Sequence, residues 1–207
     1  MKRIIALLLL VVMSVSCFCA CNDSESEKNG SDGDSFVYDA SKNYYAEIVI
    51  KNYGSIHVKL SSEHAPKTVE NFVTLAANGF YNGLTFHRII EGFMMQGGDP
   101  MANGTGGSDT NIVGEFAANG HNNTLSHTRG VISMARAKAY NSASSQFFIM
   151  HQDYTGLDGQ YAAFGWVTEG MDVVDKVCTE AVPIDNNGTI PKSRQPVIKT
   201  IKITWDN

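Results

Sequence analysis

The stretch that decides the fold lies at residues 86–99 and reads FHRIIEGFMMQGGD. Period-two alternation puts Phe86, Arg88 and Ile90 on one face of a strand and the two residues between them on the other. Gly92 interrupts this run and predicts a bend or bulge, after which a second short strand begins. A guanidinium therefore lies among apolar side chains, where a charged group needs water or a partner. Taken alone, such an arginine is more often a snorkelling side chain or half of a structural ion pair.

Two later stretches change this interpretation. Residues 131–137 read VISMARA and residues 144–150 read SSQFFIM, which predicts two more strands joined by a small polar loop. Residues 157–165 follow with LDGQYAAFG. Together with the first stretch, these segments resemble the cyclophilin family of peptidyl-prolyl cis-trans isomerases, in order and from about Tyr45 to Ile203. Three motifs in the right order are far more specific than any one of them alone.

The rest of the chain predicts many short strands and only two helices, a pattern typical of a barrel with helices over its ends. A hairpin is expected around Asn52–Gly54, and Pro66 is expected to open a helix that stops at Asn78–Gly79. Apolar residues between Met171 and Val177 predict the second helix. The cyclophilin resemblance implies the same mainly β fold, a closed eight-stranded antiparallel β-barrel capped by two α-helices.

The resemblance also implies a set of site residues. Arg88, Gln96 and Phe93 match the catalytic positions of the family, with Arg88 as the hydrogen-bond donor to the substrate. The other matched positions are implied to bind the substrate peptide: His87, Met94, Ala135, Arg136, Gln146, Phe148, Leu157 and Tyr161. For each apolar member, packing in the core is the competing interpretation, whereas Arg88 and Gln96 are harder to explain as core.

These residue types suit prolyl isomerisation. A peptide bond resists rotation because its nitrogen shares a lone pair with the carbonyl, and X-Pro bonds therefore exchange slowly. Catalysis requires a site that favours the twisted amide, such as a donor aimed at the nitrogen beside a dry pocket for the ring. It requires no nucleophile, and we expect no cofactor. We also expect no metal, since the histidines at 87, 121 and 127 lack zinc-type spacing with a third ligand.

Four positions depart from the common family pattern. The position often occupied by tryptophan at the pocket edge falls on Gly156, and Tyr154 is close enough in sequence to fill part of that space. Tyr161 occupies a position where the family commonly has histidine, and it keeps a ring and a hydrogen-bonding tip. Arg136 occupies a position where the family commonly has asparagine, and Glu91 one where it commonly has proline. None of these changes touches the catalytic set, so we expect activity with an altered preference or inhibitor response.

The first twenty residues are predicted to be a bacterial lipoprotein signal peptide. Lys2 and Arg3 precede an apolar run, residues 4–15, that is too short to span a membrane. Cys21 follows Ala20 and begins the polar tail, so it is the preferred lipidation site. Cys17 is the less favoured alternative, and secretory cleavage without a lipid is a third. We therefore expect an extracytoplasmic protein, anchored to the bacterial cell membrane through its N-terminus.

The remaining chain divides into a tether and a domain. Residues 21–43 are predicted to be a flexible polar tether, because they contain few apolar side chains to offset the entropy of ordering. Residues 44–207 are predicted to form the isomerase domain, which carries one cysteine, Cys178, and hence no internal disulfide. The net charge of −5 with scattered basic residues argues against nucleic-acid binding. We expect a monomer.

Three functions are compatible with these features. The leading hypothesis is a prolyl isomerase that binds Pro-containing segments of unfolded or exported proteins and accelerates their folding. In the first alternative, the same groove belongs to a chaperone or scaffold that binds such segments, with incidental turnover. The second alternative is a surface adhesin or structural lipoprotein built on a stable barrel. An intact Arg88 and Gln96 favour the enzyme, because a simple receptor would not need the donor.

Overall fold

The computed structural model describes residues 36–206. The predicted signal peptide, both candidate lipidation cysteines and most of the predicted tether lie outside that range. Within it, no helix is long and apolar enough to cross a membrane.

The described residues form eight strands and two helices, with three short 3-10 turns between them. The strands and helices, in chain order, are β1 (Asn43–Ile50), β2 (Gly54–Leu60), α1 (Pro66–Ala77), β3 (Phe86–Ile90), β4 (Met94–Gly97), β5 (Val131–Met134), β6 (Phe147–Met150), β7 (Ala163–Glu169), α2 (Met171–Glu180) and β8 (Ile198–Asp206).

All eight strands belong to one antiparallel sheet in the order β3-β4-β6-β5-β7-β2-β1-β8. The sheet curls, but its two end strands, β3 and β8, do not pair along their length. The residues that precede them meet instead, through a bridge between Thr85 and Val197 and a 2.9 Å bond from Phe86 N to Pro196 O. The prediction of a mainly β fold with two helices is confirmed, whereas a closed barrel is not shown. One end strand is short, since β3 has five residues and β8 has nine, so β3 offers little edge for pairing.

The predicted hairpin and first helix form for the expected local reasons. β1 and β2 pair from Tyr45 with Lys59 to Ile50 with Gly54, and Asn52 adopts a φ of +68° in the turn. Pro66 occupies the first turn of α1, where its missing N–H is not needed. The helix stops at Ala77, and Gly79, at φ +74°, turns the chain away.

The strand at residues 86–90 departs from simple alternation. A register shift between Phe86 and Arg88 marks a bulge in its pairing with β4. As a result, Phe86 is fully buried in the interior core together with Ile89, whereas Ile90 packs on the opposite side of the sheet. The prediction that Phe86 shares a face with Arg88 and Ile90 is therefore wrong, because one extra residue reverses the side on which later side chains lie.

The sheet buries apolar side chains on two sides. Its interior holds the main core, which packs against α1 and α2. A smaller cluster on the outer side is centred on Met94, Phe148 and Met150, with Phe93 and Leu157 packed against it. This outer cluster provides apolar walls for a surface cavity.

The end of the predicted tether packs on the folded unit. Phe36 lies edge-on to Tyr44 and Trp205, with ring centroids 6.4 and 6.0 Å apart, and Tyr38 stacks on Tyr44 at 4.9 Å. The backbone N–H of Asp39 donates to the Tyr44 hydroxyl at 2.8 Å. Residues 36–39 therefore belong to the folded structure, and the boundary at residue 43 stays a prediction.

Candidate active site

Strand register brings three of the predicted side chains into one row. Arg88 on β3 lies opposite Gln96 on β4, and Gln96 lies opposite Phe148 on β6. On the far side, Phe148 lies opposite Ser133 on β5. Because directly paired residues of an antiparallel sheet point to the same face, this row sets a guanidinium, an amide and an aromatic ring side by side.

Neutral groups surround the guanidinium of Arg88. Its Nε donates to the backbone oxygen of Asn187 at 2.7 Å, and its Nη1 lies 3.3 Å from Gln96 Oε1 and 3.7 Å from Met94 Sδ. None of the ion pairs found within residues 36–206 involves Arg88. Burial lowers the pKa of Arg88 below its ordinary value, but an arginine still keeps its proton in a protein. The site thus holds a fixed positive charge without a carboxylate partner.

A chain of amide hydrogen bonds fixes this geometry from the other side. Gln96 Nε2 donates to Gln146 Oε1 at 2.9 Å, and Gln146 Nε2 donates to the backbone oxygen of Gly106 at 2.7 Å. Gln96 thereby turns its oxygen toward Arg88 and its nitrogen toward the rim. The orientation of a side-chain amide follows from its partners, and here each partner accepts or donates as required.

A cavity of about 270 Å³ opens beside Arg88. Nine of the eleven predicted site residues line it: Arg88, Phe93, Met94, Gln96, Ala135, Arg136, Phe148, Leu157 and Tyr161. Six of these nine residues are apolar or aromatic, and the polar side-chain atoms come from Arg88, Gln96, Arg136 and Tyr161. Such a cavity offers apolar side chains for a small ring to pack against, next to the preorganised donor Arg88. We call it the ring cavity.

The other two predicted residues lie outside the ring cavity. Gln146 lines a neighbouring cavity of about 300 Å³, which the glycine-rich loop at residues 104–108 borders; we call it the second cavity. His87 is only 4% exposed and lies behind the row, against residues of the 103–105 loop. Neither of its ring nitrogens has a hydrogen-bond partner within residues 36–206. The structure thus does not place the His87 side chain on the wall of the ring cavity.

Two of the positions that depart from the family pattern, Gly156 and Tyr161, lie close to aromatic residues of the ring cavity or its edge. The Tyr154 ring packs edge-on against Phe93 with centroids 5.1 Å apart. It also covers Gly156, where an added Cβ would come within 3.1 Å of the ring. Tyr161 lies on the wall of the ring cavity, with its ring 5.9 Å from that of Phe148. An exposed tyrosine thus stands beside the position where the family often has tryptophan.

Comparison with known proteins decides the family. Residues 45–204 match the family described as cyclophilin type peptidyl-prolyl cis-trans isomerase/CLD. The chain belongs to the cyclophilin-type peptidyl-prolyl cis-trans isomerase family. The prediction of its enzyme class is thereby confirmed.

Named relatives agree with this assignment. The chain is 46% identical over 141 residues to a peptidyl-prolyl cis-trans isomerase of Helicobacter pylori, an alignment that covers 67% of this chain and 83% of the relative. It is 40% identical over 176 residues to peptidyl-prolyl cis-trans isomerase-like 2 of Rhizopus delemar, which covers 84% of this chain. It spans only 32% of that second relative's length.

Solved structures confirm the fold. A cyclophilin type peptidyl-prolyl cis-trans isomerase of Cryptosporidium parvum superimposes with a TM-score of 0.69 at 30% sequence identity, and covers 80% of this chain and 99% of its own. The same protein was also solved in the presence of the dipeptide Ala-Pro, and that structure superimposes with a TM-score of 0.68.

Sequence reasoning missed a group of residues behind the ring cavity of this cyclophilin-type domain. Fully buried His127 bonds through Nδ1 to Asp158 Oδ1 at 2.9 Å and through Nε2 to Ser133 Oγ at 3.0 Å. An ionised Asp158 can only accept a hydrogen bond, so Nδ1–H of a neutral His127 donates to it and Nε2 accepts a hydrogen bond from the Ser133 hydroxyl. Ser133 is fully buried and cannot reach a substrate, so this is not a hydrolase triad.

The same group supports two walls of the ring cavity. The His127 ring lies nearly parallel to that of Phe148, at 6.0 Å and 19°. Asp158 directly follows Leu157, and its carboxylate also accepts from the backbone N–H of His127 at 2.7 Å. We therefore identify His127 as a positioning residue for the cyclophilin ring cavity. The only sequence signal was its place in a polar loop, which does not reveal partners 6 and 31 residues further along the chain.

The two buried histidines predict a pH-dependent stability. Burial lowers the pKa of both His87 and His127 below the ordinary 6.5, although Asp158 partly offsets this for His127. The unfolded chain binds protons near pH 6.5 while the folded chain does not. The free energy of unfolding should therefore have its full value above pH 6.5 and decrease as the pH falls toward the folded-state pKa values of the two histidines. Carboxylates with lowered pKa values, such as Asp158, affect stability only at lower pH, around their ordinary 3.8.

Urea unfolding of the chain at pH 7.5, 6.5 and 5.5 would measure this effect. The wild type should lose stability between pH 6.5 and 5.5, with a slope of up to about 1.4 kcal/mol per pH unit for each histidine. The double variant His87→Gln, His127→Gln should show a flatter dependence, whatever its stability at pH 7.5. An unchanged slope in the double variant would mean that other groups cause the pH dependence.

Proposed function

We propose that this chain catalyses cis–trans isomerisation of X-Pro bonds with Arg88 as the donor that stabilises the twisted amide. The observation that carries the proposal is a fixed guanidinium with neutral partners at the mouth of an apolar cavity. When the amide twists, the lone pair returns to the proline nitrogen, which then becomes a hydrogen-bond acceptor. A preorganised donor at that point favours the twisted state over both planar ones.

The surroundings of Arg88 make this stabilisation effective. The Asn187 oxygen and Gln96 hold two of its nitrogens, so little reorganisation is needed when the substrate twists. Within residues 36–206 no carboxylate forms an ion pair with the guanidinium, and Asp185 offsets its charge only through a longer-range attraction. A rate enhancement of about a hundred-thousand-fold corresponds to roughly 7 kcal/mol, a plausible total for one oriented donor and desolvation of the amide.

A binding module for Pro-containing segments is the alternative function. An apolar cavity alone would be sufficient for such a module, whereas the Asn187–Arg88–Gln96–Gln146 chain of contacts has a clear purpose only in catalysis. The experiment that distinguishes them measures the cis-to-trans rate of an Ala-Pro peptide in the presence of the purified chain. Acceleration supports the isomerase, and saturable binding without acceleration supports the module.

We propose further that the substrates are Pro-containing segments of exported proteins, and that the protein is an extracytoplasmic lipoprotein. Support comes from the order of sequence features, in which a basic start and an apolar run lead to Cys21 and a polar segment. A lipid at Cys21 would leave the chain to residue 35 as a spacer before the packed aromatic residues Phe36 and Tyr38. The catalytic domain would then act on chains that emerge close to the membrane.

Lipid labelling tests this localisation. The full-length chain, expressed in bacteria fed an alkyne-tagged palmitate, should carry the label and sediment with membranes. Cys21→Ser should lose the label and the membrane association, because the thiol that accepts the lipid is gone. Cys17→Ser is the matched control and should retain both. If the label disappears only in Cys17→Ser, then Cys17 and not Cys21 is the lipidation site. An unlabelled wild type would contradict the lipoprotein proposal.

A further inference from the structure

Arg136 is held in an aromatic cage at the rim of the active site. Its Cζ lies 4.7 Å from the ring centroid of Tyr161, 5.0 Å from that of Phe116 and 5.2 Å from that of Tyr140. These distances are within the range of cation–π attraction. Three rings around one guanidinium leave it less free to move than the guanidinium of a surface arginine surrounded by solvent.

Backbone oxygens complete the cage. Arg136 Nε donates to Gln160 O at 3.0 Å, and Nη1 donates to Ala137 O at 3.0 Å. As for Arg88, none of the ion pairs found in the described part of the chain involves Arg136. All of its contacts are with neutral groups, so its positive charge stays uncompensated and in a fixed place.

The position of Arg136 makes it relevant to substrate choice. The ring cavity and the second cavity share three residues: Gln96, Ala135 and Arg136. A peptide with its proline in the ring cavity must pass over these residues to place a neighbouring residue in the second cavity. Of the three, Arg136 alone is charged.

The charges along this route have one sign. Arg88 and Arg136 line the ring cavity, and Arg136 lines the second cavity, while no Asp or Glu is among the residues that line either one. This is the reverse of the whole chain, which has a net charge of −5. The groove is therefore a local region of positive potential on an acidic protein.

We infer that Arg136 makes this isomerase selective for Pro-containing segments that place an acidic residue in the second cavity. A carboxylate in the second cavity is attracted to the guanidinium of Arg136. Because that guanidinium is already ordered, binding costs little additional side-chain entropy of the protein. A lysine at the same place would be repelled by two arginines. This inference rests on the proposed isomerase function and assigns its substrate class.

Rate measurements on short peptides test the inference. Three series, Xaa-Ala-Pro-Ala, Ala-Xaa-Pro-Ala and Ala-Ala-Pro-Xaa, all with blocked ends, carry Glu, Gln or Lys at Xaa, so that the variable residue stands two before, one before or one after the proline. In the series that reaches the second cavity, kcat/KM should follow the order Glu, Gln, Lys, with Glu roughly three- to ten-fold above Lys at low salt. The ratio should shrink in about 0.5 M NaCl, where screening is strong.

Two variants identify the source of the selectivity. Arg136→Gln should bring the Glu-to-Lys ratio toward one, whereas Lys138→Gln, which removes a nearby exposed charge, should leave the ratio and the rate on the Gln peptide unchanged. Equal rates for Glu and Lys in every series would overturn the inference, as would a ratio that survives Arg136→Gln or disappears in Lys138→Gln. Failure to accelerate any of the peptides, the neutral one included, would instead refute the isomerase function on which it rests.

Discussion

Replacing Arg88 with alanine is expected to lower kcat/KM for an X-Pro peptide by about a hundred- to a thousand-fold, the usual cost of losing one oriented transition-state donor. The loss follows because the other polar side chains of the row already have acceptors: Gln96 donates to Gln146, and the Ser133 hydroxyl donates to His127. Turnover measured by a coupled or NMR assay checks the prediction. The matched control is Arg194→Ala, which removes an exposed arginine far along the chain and should leave turnover unchanged.

The same substitution should hardly change thermal stability. Arg88 is half-buried on the outer side of the sheet and forms no ion pair in the described range, and its shortest hydrogen bond, 2.7 Å to the Asn187 oxygen, is solvent-exposed. A drop in the melting temperature that parallels the loss of turnover would instead make Arg88 a structural residue. Arg88→Lys provides a second check, since it keeps a charge but loses the planar fork that reaches Asn187 and Gln96 together.

Replacing Glu115 with alanine is expected to lower the free energy of unfolding by about 2–4 kcal/mol, among the larger effects of a single substitution. Glu115 is 3% exposed, and its carboxylate accepts from the backbone N–H groups of Lys67 and Thr68 at 3.0 and 2.8 Å and from the Thr68 hydroxyl at 2.8 Å. Ala65 at the start of α1 has no side chain that could replace these bonds. Truncation would leave buried donors unsatisfied and remove a negative charge from the helix N-terminus.

Urea denaturation at pH 7 measures this effect. Glu115→Gln should lose less than Glu115→Ala, because one amide oxygen can still accept. Glu70→Ala removes a partly exposed carboxylate from the same helix, where it lies 3.0 Å from the exposed Lys67 ammonium, and should have no measurable effect. If Glu115→Ala were as stable as Glu70→Ala, α1 would not depend on this remote carboxylate.

The sequence predicted best those features that are local. The hairpin turn at Asn52, the first helix at Pro66 and the pairing of two strands around Gly92 each follow from a few adjacent residues. The resemblance then supplied the list of residues that the fold gathers around the ring cavity. These predictions succeeded because turn chemistry and period-two patterns act over short distances along the chain.

Features that depend on distant partners could not be predicted. Arg88 meets Asn187 across 99 positions, and Glu115 reaches α1 across 47 and 48. The polar character of such residues shows that they need partners but not which ones. The bulge before Arg88 is a similar case: one unpaired residue moves Phe86 into the core, and only the register against β4 reveals it. The prediction of a closed barrel required the end strands β3 and β8 to pair with each other. Patterns within short sequence segments do not specify such a pairing.

The most direct test of the claim that Arg88 acts on the twisted amide is NMR exchange spectroscopy on an Ala-Pro peptide with wild type and Arg88→Ala. The method reads peptide binding and cis–trans exchange from the same sample. If Arg88 acts in the transition state, the variant should bind the peptide within about three-fold of wild type, while exchange falls to near that of the free peptide. A dissociation constant that rises in proportion to the lost exchange, or exchange that persists in the variant, would contradict this account.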